Sequence, residues 1–335
     1  MKPGSMPSLS RRNFLAAAGA MPLLALTGIP PVLADEATEL SSITSKAKPI
    51  DEAERKARIA RAQTLMAGHG IGAVLIEPGS SLLYFTAVNW WRSERLTCAV
   101  LPVEGEPCLV TPFFEEPSVR ESLGVPAEVR VWQEHEDPVD VVAGFLREKK
   151  LLERPIGIEE TVRYFVVDGL RKVLPHARLV SANPVVRGCR MRKSAAEIAL
   201  MQCASDVTVA AYRWVYPRIE AGMGPQDIGA LMSNATQKLG GGEGFNLILL
   251  GEASAYPHGS GKPQKVVPGE VVLMDCGCNV HGYQSDISRS FVFGGKPNDE
   301  QRKVWNEVHK GQQIAFAAAK PGVPAGEVDD AVRRY

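Results

Sequence analysis

Two aspartates carry the strongest chemical signal in the chain. Asp275 closes the apolar run Val271-Val272-Leu273-Met274, and Asp286 opens the next strand-like run, Ile287-Ser288-Arg289-Ser290-Phe291. With a turn at Val280-His281, residue 279 faces 282, 277 faces 284 and 275 faces 286. Directly opposed residues of an antiparallel pair point to one face, about 5 Å apart. Two carboxylates held that way beside buried apolar strand repel each other, and either a proton or a cation between them relieves the repulsion. Carboxylates suit hard or borderline divalent ions and can bridge two of them, so a metal pair is the expected answer. An isolated Asp pair has a blander reading, one capping a turn and the other solvated at a strand edge. Upstream, His258 sits in Tyr256-Pro257-His258-Gly259. A lone histidine is more often structural than chemical. The adjacent tryptophans of Asn89-Trp90-Trp91-Arg92 could pack into a core or reach a ligand.

The aspartates need a hairpin, and the hairpin needs a scaffold. Strands are expected at 245–250, 271–276 and 286–293, behind two helices. The first helix starts at Ser194, which can cap, with Glu197 placed as a capping box requires. The second covers 227–239 and stops at Gly240-Gly241-Gly242. A helix over 300–319, a Pro321-Gly322 break and a helix start at Val328 close the chain. The earlier part reads differently. A helix runs from Asp51 to a stop at Gly68 and Gly70, and an apolar strand covers 71–76. A short strand or turn segment follows at 82–85, then a hairpin of 97–103 and 107–111 around Glu104-Gly105-Glu106. A strand at 129–132, a helix at 138–149 and strands at 156–158 and 177–180 around a helix at 166–173 complete it. Alternating strands and helices predict an α/β domain over 51–185, followed by a second domain over 190–335.

Composition bounds the partners. The 335 residues are 45% apolar and 23% charged, with zero formal net charge. Beyond residue 34 there are 35 basic and 38 acidic residues, a net −3. Such a balance argues against nucleic acid as the main partner. No apolar run after the leader approaches the ~18 residues of a membrane span. The leader, residues 1–34, resembles a twin-arginine signal peptide: Ser10-Arg11-Arg12-Asn13-Phe14-Leu15, an apolar stretch over 15–29, and Val32-Leu33-Ala34 before a cut ahead of Asp35. That implies export to the periplasm or beyond, and changing Arg11 and Arg12 to Lys is expected to hold the precursor in the cytoplasm. Residues 35–50 read as a polar linker. The six cysteines form no clear disulfide framework. Cys98 and Cys108 are not opposite in their hairpin, Cys276 and Cys278 share a strand face, and all six read as small buried hydrophobes.

The aspartates belong to a longer pattern: Asp275-Cys276-Gly277, then Gly282-Tyr283, then Ser285-Asp286-Ile287-Ser288-Arg289-Ser290-Phe291. It resembles the double-aspartate metal hairpin of the pita-bread metallopeptidases, which include Xaa-Pro aminopeptidases, prolidases and methionine aminopeptidases. Pro257-His258-Gly259, Pro268-Gly269-Glu270 and Arg192-Lys193-Ser194 with Glu197-Ile198 fit the same family. Tyr84-Phe85-Thr86, Arg95 and the Gly105-Glu106-Pro107 hairpin give a weaker likeness to its creatinase-type N-terminal domain. The resemblance implies an α/β creatinase-type domain followed by an α+β pita-bread catalytic domain. It implies two divalent ions, Mn, Co or Zn, held in part by Asp275 and Asp286. It further implies that a hydroxide bridging the metals attacks a peptide carbonyl while His258 steadies the intermediate. In relatives the region around Trp91 and Arg92 reaches toward an active site, at times a neighbouring subunit's. These two residues are therefore expected to contact substrate, and Trp91→Ala to raise KM. The full-length form is expected to be a homodimer acting on a peptide or small-molecule substrate.

The chain also departs from the family. Five metal ligands are implied: two Asp, one His and two Glu, the last three following the second Asp. After Asp286 only His309 occurs, between Val308 and Lys310, without the family context, and Glu300, Glu307 and Glu327 lack it too. The remaining ligands, one His and two Glu, are therefore not present in this chain. The expectation is a C-terminally truncated product: an incomplete pita-bread domain with a bare sheet edge, an exposed apolar face and little or no peptidase activity by itself. Two rivals stand beside it, a same-fold hydrolase of a small non-peptide C–N substrate and a non-catalytic pita-bread binding module. Creatinase works without metal and lacks the paired Asp, and binding modules lose the metal residues, so the aspartates and His258 favour the peptidase.

Overall fold

The structure, a computed structural model, describes residues 39–335. The leader read from residues 1–34 lies outside them. Helix α1 (Glu52–His69) starts where the Asp51 side chain accepts a hydrogen bond from the Glu54 amide, and stops at Gly70, whose φ of 66° allows its amide to close on Met66 and Ala67. Such caps satisfy the amides and carbonyls that helix ends leave open. There follow β1 (Ala73–Ile76), α2 (Ser80–Thr86), β2 (Cys98–Pro102), β3 (Cys108–Pro112), α3 (Glu116–Ser122), β4 (Glu128–Trp132), α4 (Pro138–Glu148), β5 (Ile156–Ile158), α5 (Tyr164–Val173), β6 (Leu179–Ser181) and α6 (Asn183–Arg190).

Six strands form one sheet in the order β4-β3-β2-β1-β5-β6. The pairs β1–β2 and β2–β3 are antiparallel, and the others are parallel. Every residue of β1, β2 and β3 is buried, because helices cover both faces. Val74, Ile76 and Leu101 pack with Ile59 and Met66 of α1 and Val185 of α6. Leu75, Val100 and Val110 pack with Val142 and Phe145 of α4 and Leu170 of α5. Double coverage is why these strands read as continuous apolar runs. Cys98 faces Val110 rather than Cys108, and all six cysteines are unpaired.

The segment 82–85, expected as a short strand or turn, is helical. Leu82 and Phe85 lie three apart and are both fully buried. At the C-terminal end of α2, Arg55 donates to the Leu83 carbonyl (2.6 Å) and Arg58 to the Tyr84 carbonyl (3.1 Å). Cations at the negative end of a helix stabilise it, and no apolar pattern within so short a run reveals that help. Helices α3 and α6 also lay outside the expected elements.

The second half comprises α7 (Ala195–Val215), α8 (Pro225–Lys238), β7 (Gly242–Leu250), β8 (Val271–Val280), β9 (Tyr283–Gln284), β10 (Ile287–Val292), α9 (Asp299–Ala318) and α10 (Ala325–Arg333). The Ser194–Glu197 capping box at the start of α7 is formed in both directions. The strand order is β10-β8-β7, with β9 pairing the end of β8, all antiparallel. Val272, Met274, Cys276, Cys278 and Val280 join one core with Leu200, Ala204 and Val207 of α7 and Ile228 and Met232 of α8. Alternation along β8 therefore turns Leu273, Asp275 and Gly277 to the opposite face. The described part of the expected linker packs on this half: the Ile43 amide donates to the Leu239 carbonyl (3.0 Å), and Ile50 is buried in the same core. Helix α9 leaves Val304, Trp305, Val308 and Phe316 exposed. No described helix is long and apolar enough to cross a membrane.

Candidate metal centre

The hairpin that carries the aspartates turns at His281-Gly282, not at Val280-His281. Both residues have positive φ, 49° and 88°, as two-residue hairpin loops of the commonest kind require. Glycine takes that conformation freely and histidine tolerates it, whereas a β-branched residue is strained there. Val280 is instead buried in the core, and Asn279 Oδ1 accepts from the Gly282 amide at 2.8 Å. The turn corrects the expected register by two residues. Val280 pairs with Tyr283, Asn279 with Gln284, Cys276 with Ile287 and Asp275 with Ser288. Asp275 does not oppose Asp286, which is level with Gly277.

A shift of two keeps side chains on their original face. Ser285 and Ile287, on either side of Asp286, both turn toward the helices. Ser285 Oγ lies 2.8 Å from Thr208 Oγ1, and Ile287 packs against the core beneath α7. Asp286 thus shares with Asp275 the face turned away from α7 and α8, as a diagonal neighbour, a relation that places Cα atoms about 7–8 Å apart. The Asp275-x-Gly277 spacing has a steric cause. A Cβ on Gly277 would lie 2.0 Å from the Ser285 carbonyl oxygen and 2.7 Å from Phe245 Cε1. One on Gly244 would lie 1.8 Å from the Gly277 carbonyl oxygen, where β7 carries a register irregularity between Gly242 and Phe245.

Asp275 Oδ1 accepts a hydrogen bond from Ser288 Oγ at 2.8 Å, which fixes one carboxylate oxygen. On its other side Asp275 pairs with Leu247 of β7. The turn carrying His258 comes close to the same spot: a Cβ on Gly259 would touch Leu247 Cδ1 at 3.6 Å, and His258 itself is exposed. From the helix side, the Tyr212 hydroxyl lies 2.8 Å from the Met274 carbonyl and 2.7 Å from the Ile287 carbonyl, pinning both aspartate strands. Burial pushes that hydroxyl's pKa well up, so it stays protonated and able to donate.

The two carboxylates are the right chemical type for divalent ions and share one face. Among the described residues, however, no three His, Cys, Asp or Glu side chains converge into a metal-holding group. Two donors fall short of a closed transition-metal set. Trp91 and Arg92 make their contacts within the first sheet's half. Arg92 Nε donates to the Pro78 carbonyl (3.1 Å), and a second nitrogen bonds Thr161. Trp91, 69% exposed, stacks on Trp90 at 5.1 Å. His281 is exposed in its turn.

Sequence reading missed the network that grips the hairpin tip. Arg58, only 5% exposed, donates from Nη2 to Glu54 (2.7 Å) and to the Tyr283 hydroxyl (2.9 Å). Tyr283 in turn donates to Glu197 Oε1 (2.9 Å), and Ser194 Oγ donates to Glu54 (2.7 Å). Burial raises the Tyr283 pKa, against the opposing pull of Arg58. Gly282 presses on Leu83 of α2, 3.0 Å from where a Cβ would stand. Tyr283 lies in the Gly-Tyr of the motif, but Arg58 is 225 positions away and nothing in its spacing marks it.

Comparison with known proteins agrees with this architecture. Residues 58–192 match the family model of the Creatinase/Prolidase N-terminal domain, and residues 199–335 match that of metallopeptidase family M24. An uncharacterized peptidase of Schizosaccharomyces pombe is 30% identical over 283 residues, covering 79% of this chain and 61% of that protein. The chain thus spans less than two thirds of that relative's length. Dipeptidase PepE from Mycobacterium ulcerans superposes with a TM-score of 0.77 at 27% identity, over 86% of this chain and 77% of that one. Recombinant prolidase from Thermococcus sibiricus gives 0.75 at 26% identity, over 86% and 77%.

Proposed function

We propose that this chain, a creatinase/prolidase-type N-terminal domain followed by a pita-bread domain of metallopeptidase family M24, serves metal-dependent hydrolysis of short peptides of the Xaa-Pro kind. The observation that carries the reading is the face shared by Asp275 and Asp286, turned away from α7 and α8, with the His258 turn beside it. Relatives named dipeptidase and prolidase support the substrate class. Asp275 and Asp286 would supply carboxylates to a pair of Mn, Co or Zn ions. A bound divalent ion polarises a carbonyl and lowers the pKa of water. Ser288 holds Asp275 in one orientation. His258, exposed beside that face, would donate a hydrogen bond to charge developing on the substrate oxygen. Trp91 and Arg92 offer a substrate contact from the first domain, and a homodimer is the working form. The leader directs export by the twin-arginine route.

Two carboxylates by themselves hold a metal loosely, and low turnover by this chain is part of the proposal. The test is hydrolysis of an Xaa-Pro dipeptide by this chain with added manganese. No more than trace turnover is expected, and Asp275→Asn or Asp286→Asn should remove it. Turnover that both substitutions leave unchanged would contradict the reading.

A further inference from the structure

A cleft of about 530 Å³ opens where the hairpin tip meets the first domain. Its walls include Arg55, Arg190, Lys193, Met201, Tyr283 and Gln284. The charges around it do not balance: five cations, Arg55, Arg58, Arg187, Arg190 and Lys193, line it against two carboxylates, Glu160 and Glu197. Arg58 and Arg187 have acidic partners, Glu54 with Glu197 for the first and Glu160 for the second. The other three bond only neutral groups. Arg55 donates to the Leu83 and Tyr84 carbonyls, Arg190 to the Ser80 and Ser81 hydroxyls, and Lys193 to the Arg190 carbonyl. No ion pair among the described residues includes any of them.

Two further observations show this charge to be crowded. Burial, and next the neighbouring charge of Arg58, depress the pKa of Arg55. Arg58 Nε is buried without an acceptor. Buried donors are nearly always satisfied, and one that is not calls for an explanation. Like charges gathered in a partly desolvated concavity raise the local concentration of counter-ions. The volume falls within the range of small-molecule sites.

We propose that this interdomain cleft is a binding site for a small polyanion, a molecule carrying two or more phosphate or carboxylate groups, with Arg55, Arg190 and Lys193 as its cationic contacts and the Ser80 hydroxyl as a neutral donor. The site is separate from the aspartate face and does not depend on its metal chemistry. Tyr283 and Gln284 belong to the aspartate hairpin, so an occupant touches the hairpin tip.

Calorimetric titration of the 335-residue chain with inorganic pyrophosphate and, separately, with citrate tests the proposal. Saturable one-to-one binding of either is expected, weakening as salt screens the charges. Pyrophosphate alone marks a phosphate site, citrate alone a polycarboxylate site, and both together a site that reads charge. Lys193→Gln and Arg190→Gln should each weaken binding about tenfold, the scale of one charge-assisted contact. Lys193 is exposed, so its replacement leaves folding intact. Met201→Glu, which adds a carboxylate to the wall, should abolish binding. Absence of saturable binding with both anions, or binding unchanged in Lys193→Gln and Met201→Glu, overturns the proposal.

Discussion

At the scale of single residues, Gly277 shows how the site constrains its own sequence. The Ser285 carbonyl and the Phe245 ring leave no room for a side chain between the two aspartate positions. Gly277→Ala is expected to cost about 1–3 kcal/mol, the range of overpacking a closed interior, read as a lower urea midpoint with an unchanged slope. A midpoint equal to the parent's would mean that the strands can part there. Asp275, Asp286 and His258 stand out in the sequence because their neighbours form a dense pattern of residue types. The pairing of Asp275 with Ser288 does not, since it hangs on which two residues accept positive φ. Val280, β-branched and buried, stays in the strand, and the turn falls on His281 and Gly282. Cysteine burial was legible for five of the six, Cys203 being only partly buried. Cys108 is pushed up to about 12 and Cys276 to about 11, both chiefly by burial. In the native protein at pH 8 a thiol reagent should therefore label only Cys203, which is the one partly exposed cysteine. Labelling of Cys276 before unfolding would show that the sheet opens.

At the scale of elements, capping signals and alternation placed most helices and strands within a few residues. The Ser194–Glu197 box and the Asp51 cap formed as their spacing implies. Short α2 escaped because its stability comes from Arg55 and Arg58 on another helix. The same arginine ties the hairpin to the first domain through Tyr283, and that tie has a measurable consequence. Tyr283→Phe removes the hydroxyl shared by Arg58 and Glu197 while keeping the ring. It should lower stability by about 1–3 kcal/mol, the scale of leaving buried polar groups unsatisfied. Hydrogen exchange should rise at residues 282–288 with little change in the first sheet. Equal rises in both regions would mean general loosening rather than release of the hairpin tip.

At the scale of the whole molecule, the two sheets differ in one respect that organises everything else. Helices cover the first sheet on both faces, whereas α7 and α8 pack on one face of the second and the carboxylates stand on the other. Balanced overall charge could not reveal the cationic cleft, because the residues that build it come from α1, α2, α6, the start of α7 and the hairpin tip. The most direct test of the central claim is manganese binding followed by electron paramagnetic resonance on the parent chain and on Asp275→Asn and Asp286→Asn. Weak, saturable binding by the parent that each substitution removes is the predicted result. A parent that binds no manganese, or variants that bind it as the parent does, would contradict the account.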